Sequence, residues 1–138
     1  MQTFLPYEDF TETAKSLDYR RLGKMRVEAW QILRASLGLT KGWVSHPATI
    51  MWSKYRYALC QYGIAMCDEW ISRGYKDTMR DRFLESMKSL ENTGLPAWLG
   101  NPDFHISHQS NLLRKDPEFY KLEFPDVPDN LEYVWPTS

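Results

Sequence analysis

The segment Leu17–Leu33, LDYRRLGKMRVEAWQIL, holds four cationic side chains, Arg20, Arg21, Lys24 and Arg26, and within that basic run one carboxylate, Glu28. Laid on a helix at about 100° per residue, Arg21, Lys24 and Glu28 fall within about 60° of one another, beside the apolar stripe. Arg20 and Gln31 extend that face outward, and Arg26 points to the far flank near Trp30. Cations at this spacing suit phosphates, whereas an acid among them repels a polyanion and needs a reason. One reason is catalysis: the carboxylate can stabilise an oxocarbenium-like sugar or move a proton during cleavage of a glycosidic bond. The plainer reading is an i, i+4 ion pair between Lys24 and Glu28, worth a few tenths of a kcal/mol.

Other residues carry weaker chemistry. His46 precedes Pro47 in the basic half and reads either as a helix-capping histidine or as a phosphate or base contact; Trp43 beside it is either core or a stacking platform. Asp103, His105 and His108 together suggest a metal site only weakly, for want of a fourth ligand, and none is expected. The preferred reading has Ser107 capping a short helix whose polar side carries His108, Asn111, Arg114 and Lys115, a ready anion site. Tyr133 and Trp135, in the tail LEYVWPTS, either pack on the helices or stack on a displaced base.

The elements that must position these groups are helical. Asp9–Ser16 reads as a short helix with Thr11 or Thr13 near its start. Leu17–Leu37 reads as a long one with Leu22, Met25, Ala29, Ile32 and Leu33 as its core face, ended by Gly38 and Gly42. His46-Pro47 opens a helix that is apolar on nearly every face from Thr49 to Ser72 and therefore central, with Gly63 admitting a close neighbour. Asp77 or Thr78 caps a third helix to about Leu90, and Gln109–Lys115 is a short fourth. No strand-type alternation is present. The expected fold is all-α: one domain of three main helices with an irregular, aromatic C-terminal arm from Ala97.

Bulk properties agree. The 138 residues include six Trp, eight Tyr and six Phe, enough for a core and inconsistent with disorder. The start, MQTFLPYEDF, lacks a signal peptide's basic and apolar regions, and no apolar run approaches the roughly 18 residues of a membrane span. Cys60 and Cys67, seven apart on one helix, lie about 10 Å apart along its axis, too far for a disulfide, and read as buried thiols of a cytoplasmic protein. The net charge of −1 hides an asymmetry: Lys15–Arg56 carries nine Lys or Arg against Asp18 and Glu28, while Asp116–Glu132 carries six acids against Lys121. Blocks of opposite sign suggest a cationic face for an anionic partner and an acidic tail elsewhere.

The residues carry a resemblance, in order along the chain. Leu17, Asp18, Leu22, Glu28 and Ala29; GWVSHPA at Gly42–Ala48; DEWISRGY at Asp68–Tyr75; and SHQSNLLRKDPEFY at Ser107–Tyr120 together resemble the pyrimidine-dimer DNA glycosylases, the phage-type endonuclease V group and its bacterial relatives. The likeness spans Met1 to about Tyr120. The chain is also similar to a set of small bacterial and phage proteins beginning MQTFLP that share the HPA, SHQSNL and VWP elements.

The resemblance implies a compact all-α domain of three main helices acting on double-stranded DNA, as a glycosylase with an associated AP-lyase and no metal or organic cofactor. Glu28 falls on the family's catalytic glutamate. An N-terminal α-amine attacks C1′ of the damaged nucleotide and forms a Schiff base, and such an amine, with an ordinary pKa near 8, is substantially nucleophilic at neutral pH. The family's phage enzyme exposes a small second residue after removal of Met; here residue two is Gln2, too large for routine removal, so the expected amine is that of Met1, or of Gln2 if processing occurs. Lys24 is the alternative amine, and a monofunctional glycosylase in which Glu28 activates water is a third arrangement. Arg20, Arg21, Lys24, Arg26 and His46 are the expected phosphate contacts, on a monomer. Two other classes stay open: a non-catalytic nucleic-acid-binding protein of the same fold, and an enzyme acting on a nucleoside or nucleotide.

Overall fold

The computed structural model describes residues 1–137. Among these the chain is helical without strands, as the pattern implies. α1 (Phe10–Ser16) is capped by the Asp9 side chain, not by Thr11 or Thr13. α2 (Tyr19–Ser36) starts where Asp18 accepts from the Arg21 N–H. It buries Leu22, Met25, Ala29, Ile32 and Leu33 as expected. Gly38, at φ 74°, lets the chain turn out of α2, with the Leu39 N–H returning to the Arg34 carbonyl at 2.9 Å.

The expected central helix is two helices, α3 (Pro47–Trp52) and α4 (Arg56–Ser72). The break has a tertiary cause. The Met51 carbonyl, which a continuous helix would offer to the Tyr55 N–H, accepts instead from the Trp98 indole at 3.2 Å. The Lys54 carbonyl accepts from the Thr93 hydroxyl at 2.7 Å. α4 is nonetheless the central element, packed against α1, α2 and α5. A Cβ at Gly63 would lie 2.4 Å from the Phe83 ring, so only Gly admits α5 there. That approach offsets the roughly 1 kcal/mol propensity cost of a mid-helix Gly. Cys60 and Cys67 are buried free thiols, and burial pushes Cys60 up to about 12.

α5 (Arg80–Met87) is shorter at both ends than the expected helix from Asp77 or Thr78 to Leu90; its N-cap residue is Met79, and the Asp77 carboxylate two residues earlier accepts from the Met79 and Arg80 N–H groups. The fourth helix is longer than expected: α6 (Pro102–Lys115) begins at an Asn101 cap with Pro102 in its first turn. Ser107 therefore does not cap it. It lies mid-helix, with its hydroxyl on the Phe104 carbonyl. α7 (Pro117–Tyr120) returns the chain to α2, where the buried Tyr120 hydroxyl accepts from the Asp18 N–H at 3.0 Å and donates to the Asp18 carboxylate. The irregular arm thus begins after α7, not at Ala97. Among the described residues no helix is long and apolar enough to cross a membrane.

Candidate active site

The segment before α1 is the site's foundation. Gln2 to Pro6 is buried without belonging to a helix, so its backbone polar groups need partners from elsewhere. The Phe4 carbonyl accepts from the Tyr62 hydroxyl at 2.7 Å, and the Phe4 N–H meets Met25 Sδ at 3.2 Å. The Leu5 N–H donates to His108 Nδ1 at 2.9 Å, and the Leu5 carbonyl lies 2.7 Å from His105 Nδ1. His105 Nε2 accepts from the Gly100 N–H at 2.9 Å, which leaves its proton on Nδ1 to serve Leu5. Gln109 donates to the Pro6 carbonyl at 2.8 Å, and the Trp52 indole donates to the Thr3 hydroxyl at 3.0 Å. Side chains from α2, α3, α4 and α6 thus hold four consecutive residues, Thr3 to Pro6.

This clamp carries Met1 to the inner flank of α2. Met1, Gln2 and Phe4 line a pocket of about 330 Å³ together with Arg21, Lys24, Met25 and Glu28 of α2, Lys115 of α6 and Tyr133 of the arm. Burial pushes the Glu28 carboxyl up; the N-terminal ammonium, then Lys24 and Lys115, pull the other way without cancelling it. A carboxylate so placed is a better proton carrier near neutral pH than an ordinary glutamate. The Lys24–Glu28 ion pair is not formed. Among the described residues Glu28 is paired with none, Lys24 is exposed, and Arg21 pairs with Asp18 at 3.2 Å and Asp116 at 3.9 Å. A second cavity, of about 380 Å³ between α1 and α4, has Glu8, Asp9 and Asp68 in its wall and no basic side chain, so it does not suit a phosphate.

An N-terminal amine, a raised carboxyl and three cations in one pocket agree with the sequence comparison, in which a model of the pyrimidine dimer DNA glycosylase family matches residues 1–83. The chain belongs to that family. Membership makes DNA the substrate class and N-glycosidic cleavage the family activity. No curated protein and no solved structure matches the chain. The glycosylase match runs from the clamped segment through α2, α3 and α4 into α5. Lys115 and Tyr133, which complete the pocket, lie beyond it.

The other expected site residues divide. His46 caps α3, its Nδ1 accepting from the Ala48 N–H at 3.0 Å; burial lowers its pKa, as does the N-terminal ammonium. Trp43 is half exposed, holds a φ of 68° rare for a bulky residue, and meets the His46 ring edge-on. From His46 an aromatic row continues through Trp135 to Tyr133 at the pocket. Arg20 is exposed on α2 and free for a phosphate, its nearest partner the Tyr19 hydroxyl.

Arg26 is a correction: its guanidinium pairs with the buried Asp77 carboxylate and lies 4.4 Å over the Trp70 ring, so it is spent inside the fold. His108 is a second. It is fully buried with a pKa lowered by burial to about 3, and it holds Leu5, not phosphate. Asn111 and Arg114 are also structural: Asn111 donates to the Ser107 and Leu131 carbonyls, and Arg114 binds Asn111 and the Asp129 and Leu131 carbonyls of the arm. Of the α6 set, Lys115 alone lines the pocket. The sequence reading missed Tyr62, Trp52, His105 and Gln109 as clamp residues. The signal was present as polar groups on apolar or internal helix faces, each needing a buried partner.

Proposed function

We propose that the chain is a bifunctional DNA glycosylase and AP-lyase acting on damaged duplex DNA, with the Met1 α-amine as nucleophile and Glu28 as the proton-transferring carboxyl. The observation that carries this reading is the clamp on Thr3 to Pro6, which holds the amine in the same pocket as Glu28. The amine lone pair attacks C1′ as the C1′–base bond breaks, and the base leaves with the electron pair and takes a proton. The amine loses its own proton, the sugar ring opens with protonation of O4′, and a protonated imine results. Loss of a C2′ proton then expels the 3′ phosphate, and water releases the amine.

Glu28 serves the proton transfers at O4′ and C2′, and its residual negative charge stabilises the cationic sugar and imine. Arg21, Lys24 and Lys115 of the pocket wall, with the exposed Arg20 outside it on α2, hold the flanking phosphates, and the exposed Trp43 enters the duplex near the lesion. Distorting the duplex costs several kcal/mol, recovered in these contacts. Pyrimidine dimers are the proposed lesion, by family.

The test is borohydride trapping on UV-irradiated and undamaged duplex DNA. A UV-dependent covalent adduct, resolved on a denaturing gel and abolished in Glu28→Gln, is expected. No adduct and no nicking on either DNA would overturn the lyase reading.

A further inference from the structure

The arm after α7 is irregular, yet α6 fixes it on both sides of Tyr133. The Leu131 N–H donates to Ser110 Oγ at 3.0 Å, and the Leu131 carbonyl accepts from Asn111 at 3.2 Å and Arg114 at 3.1 Å. The Val134 N–H donates to Ser107 Oγ at 3.2 Å. Between these anchors the Tyr133 ring packs against Phe4, His108 and Trp135, and its hydroxyl reaches the wall of the Glu28 pocket. Gln2 Oε1 accepts from the Thr3 N–H at 2.8 Å, which turns the amide N–H toward the Tyr133 oxygen that accepts it. The phenol proton therefore points away from Gln2. Arg21 and Arg114, the cations nearest the phenol, are donors and cannot take that proton; Glu28 acts on it through charge alone. A hydroxyl whose oxygen is matched and whose proton is not is a donor held ready for a ligand acceptor.

We propose that Tyr133 is a catalytic residue whose hydroxyl donates to the carbonyl oxygen at position 2 of the pyrimidine being excised, in the glycosylase reaction proposed above, on which this inference rests. The pocket divides its labour by charge. Arg21, Lys24 and Lys115 suit phosphates, Glu28 suits the cationic sugar, and the neutral phenol suits an uncharged carbonyl oxygen. When the C1′–N1 bond breaks, its electron pair stays on the base and spreads over N1 and the adjacent carbonyl oxygen. A preorganised O–H at that oxygen is worth more in the transition state than in the ground state. The phenol keeps its proton throughout, a form that burial favours by raising its pKa, and the departed base takes a proton from water. The Phe4 ring, 6.3 Å from that of Tyr133, adds apolar surface beside the base.

The test asks whether the rate follows the acidity of this one hydroxyl. Single-turnover imine formation on a duplex with a cyclobutane pyrimidine dimer, quenched in borohydride, is measured across pH for wild type, for Tyr133→Phe and for a chain carrying 3,5-difluorotyrosine at position 133. Melting curves check folding, and the fluorinated residue keeps the ring and the hydroxyl. Tyr133→Phe is expected to slow imine formation on the order of 100-fold, the scale of losing one preorganised donor. The fluorinated phenol is more acidic and ionises at lower pH, and a phenolate donates nothing. Its rate is therefore expected to fall on an alkaline limb displaced toward neutrality by the difference between the two free phenols. Glu28 and Arg21 on α2, Arg114 and Lys115 on α6 and the Met1 amine face the phenol equally in both chains, so their charges cancel from that displacement.

A wild-type rate in Tyr133→Phe would overturn the proposal. So would a slow Tyr133→Phe beside a fluorinated chain whose alkaline profile overlays the wild type, because the hydroxyl would then serve packing of the arm and not proton donation. Failure of the wild-type chain to form an imine on dimer-bearing and abasic duplexes alike would instead refute the glycosylase reading beneath it.

Discussion

Tyr62→Phe deletes one hydroxyl, the donor to the Phe4 carbonyl at 2.7 Å. Tyr62 is 0% and Phe4 4% exposed, so water does not replace the lost partner. An unmatched buried carbonyl costs about 1–3 kcal/mol. For 138 residues, an unfolding entropy of about 2.1 cal/mol/K per residue converts this to a fall in Tm of roughly 3–10 °C. The tethers at Thr3, Leu5 and Pro6 remain, so the variant folds. The amine, however, is three residues from Phe4 along an extended segment, and a displacement of about 1 Å at a reacting atom costs on the order of 100-fold in rate. The assay pairs thermal melts with single-turnover borohydride trapping on an abasic duplex, well below the variant's Tm. The expected result is a modest stability loss with a far larger loss of trapping. A variant destabilised by this amount but trapping at the wild-type rate would refute the claim that the clamp delivers the amine.

Glu28→Gln should stabilise the protein at neutral pH while abolishing turnover. Burial raises this carboxyl above its ordinary 4.5, so the wild-type penalty is absent below about pH 4.5 and grows as pH rises through the folded value; denaturant melts of both proteins across pH should converge in acid and separate above it. Asp77→Asn strands the Arg26 guanidinium, whose side chain is 12% exposed, and should cost about 3–5 kcal/mol by denaturant unfolding. Arg20→Ala should leave stability unchanged but reduce the slope of log affinity for duplex DNA against log salt by about 0.9. His108, lowered from 6.5 to about 3, stabilises the fold fully above pH 6.5 and progressively less as pH falls toward 3; His108→Asn keeps an acceptor near Leu5 without the titration, so its acid unfolding curve should be flatter from a lower plateau.

Legibility in the sequence followed the type of force involved. α2 was readable because its core face is a simple apolar stripe, and Glu28 stood out because charge patterning is local. Gly63 was readable as a close approach, and Phe83 fills it. The α3–α4 break was not readable. It depends on Trp98 and Thr93 capturing the Met51 and Lys54 carbonyls from distant sequence, while the segment itself is apolar throughout. α6 was misjudged for a related reason. Its polar side reads as an anion site carrying His108, Asn111, Arg114 and Lys115, yet His108 and Asn111 are buried, as are His105, Ser107 and Ser110, mostly against the backbone of the N-terminal segment and the arm. The same inversion moved Arg26 from an expected phosphate contact to an internal ion pair, while Arg114 stays exposed but is engaged by the arm's carbonyls. A polar helix face tells that hydrogen bonds are needed, not whether water or another backbone supplies them.

The central claim is that the α-amine of residue 1 and the Glu28 carboxyl act as one site. The most direct test is peptide mapping by mass spectrometry of the borohydride-reduced adduct formed on abasic duplex DNA, with wild type and Glu28→Gln in parallel. The account predicts the sugar remnant on the α-nitrogen of residue 1, with the yield collapsed in Glu28→Gln while duplex binding is retained or tightened. An adduct on Lys24 or another lysine side chain, or a Glu28→Gln adduct formed at the wild-type rate, would contradict it.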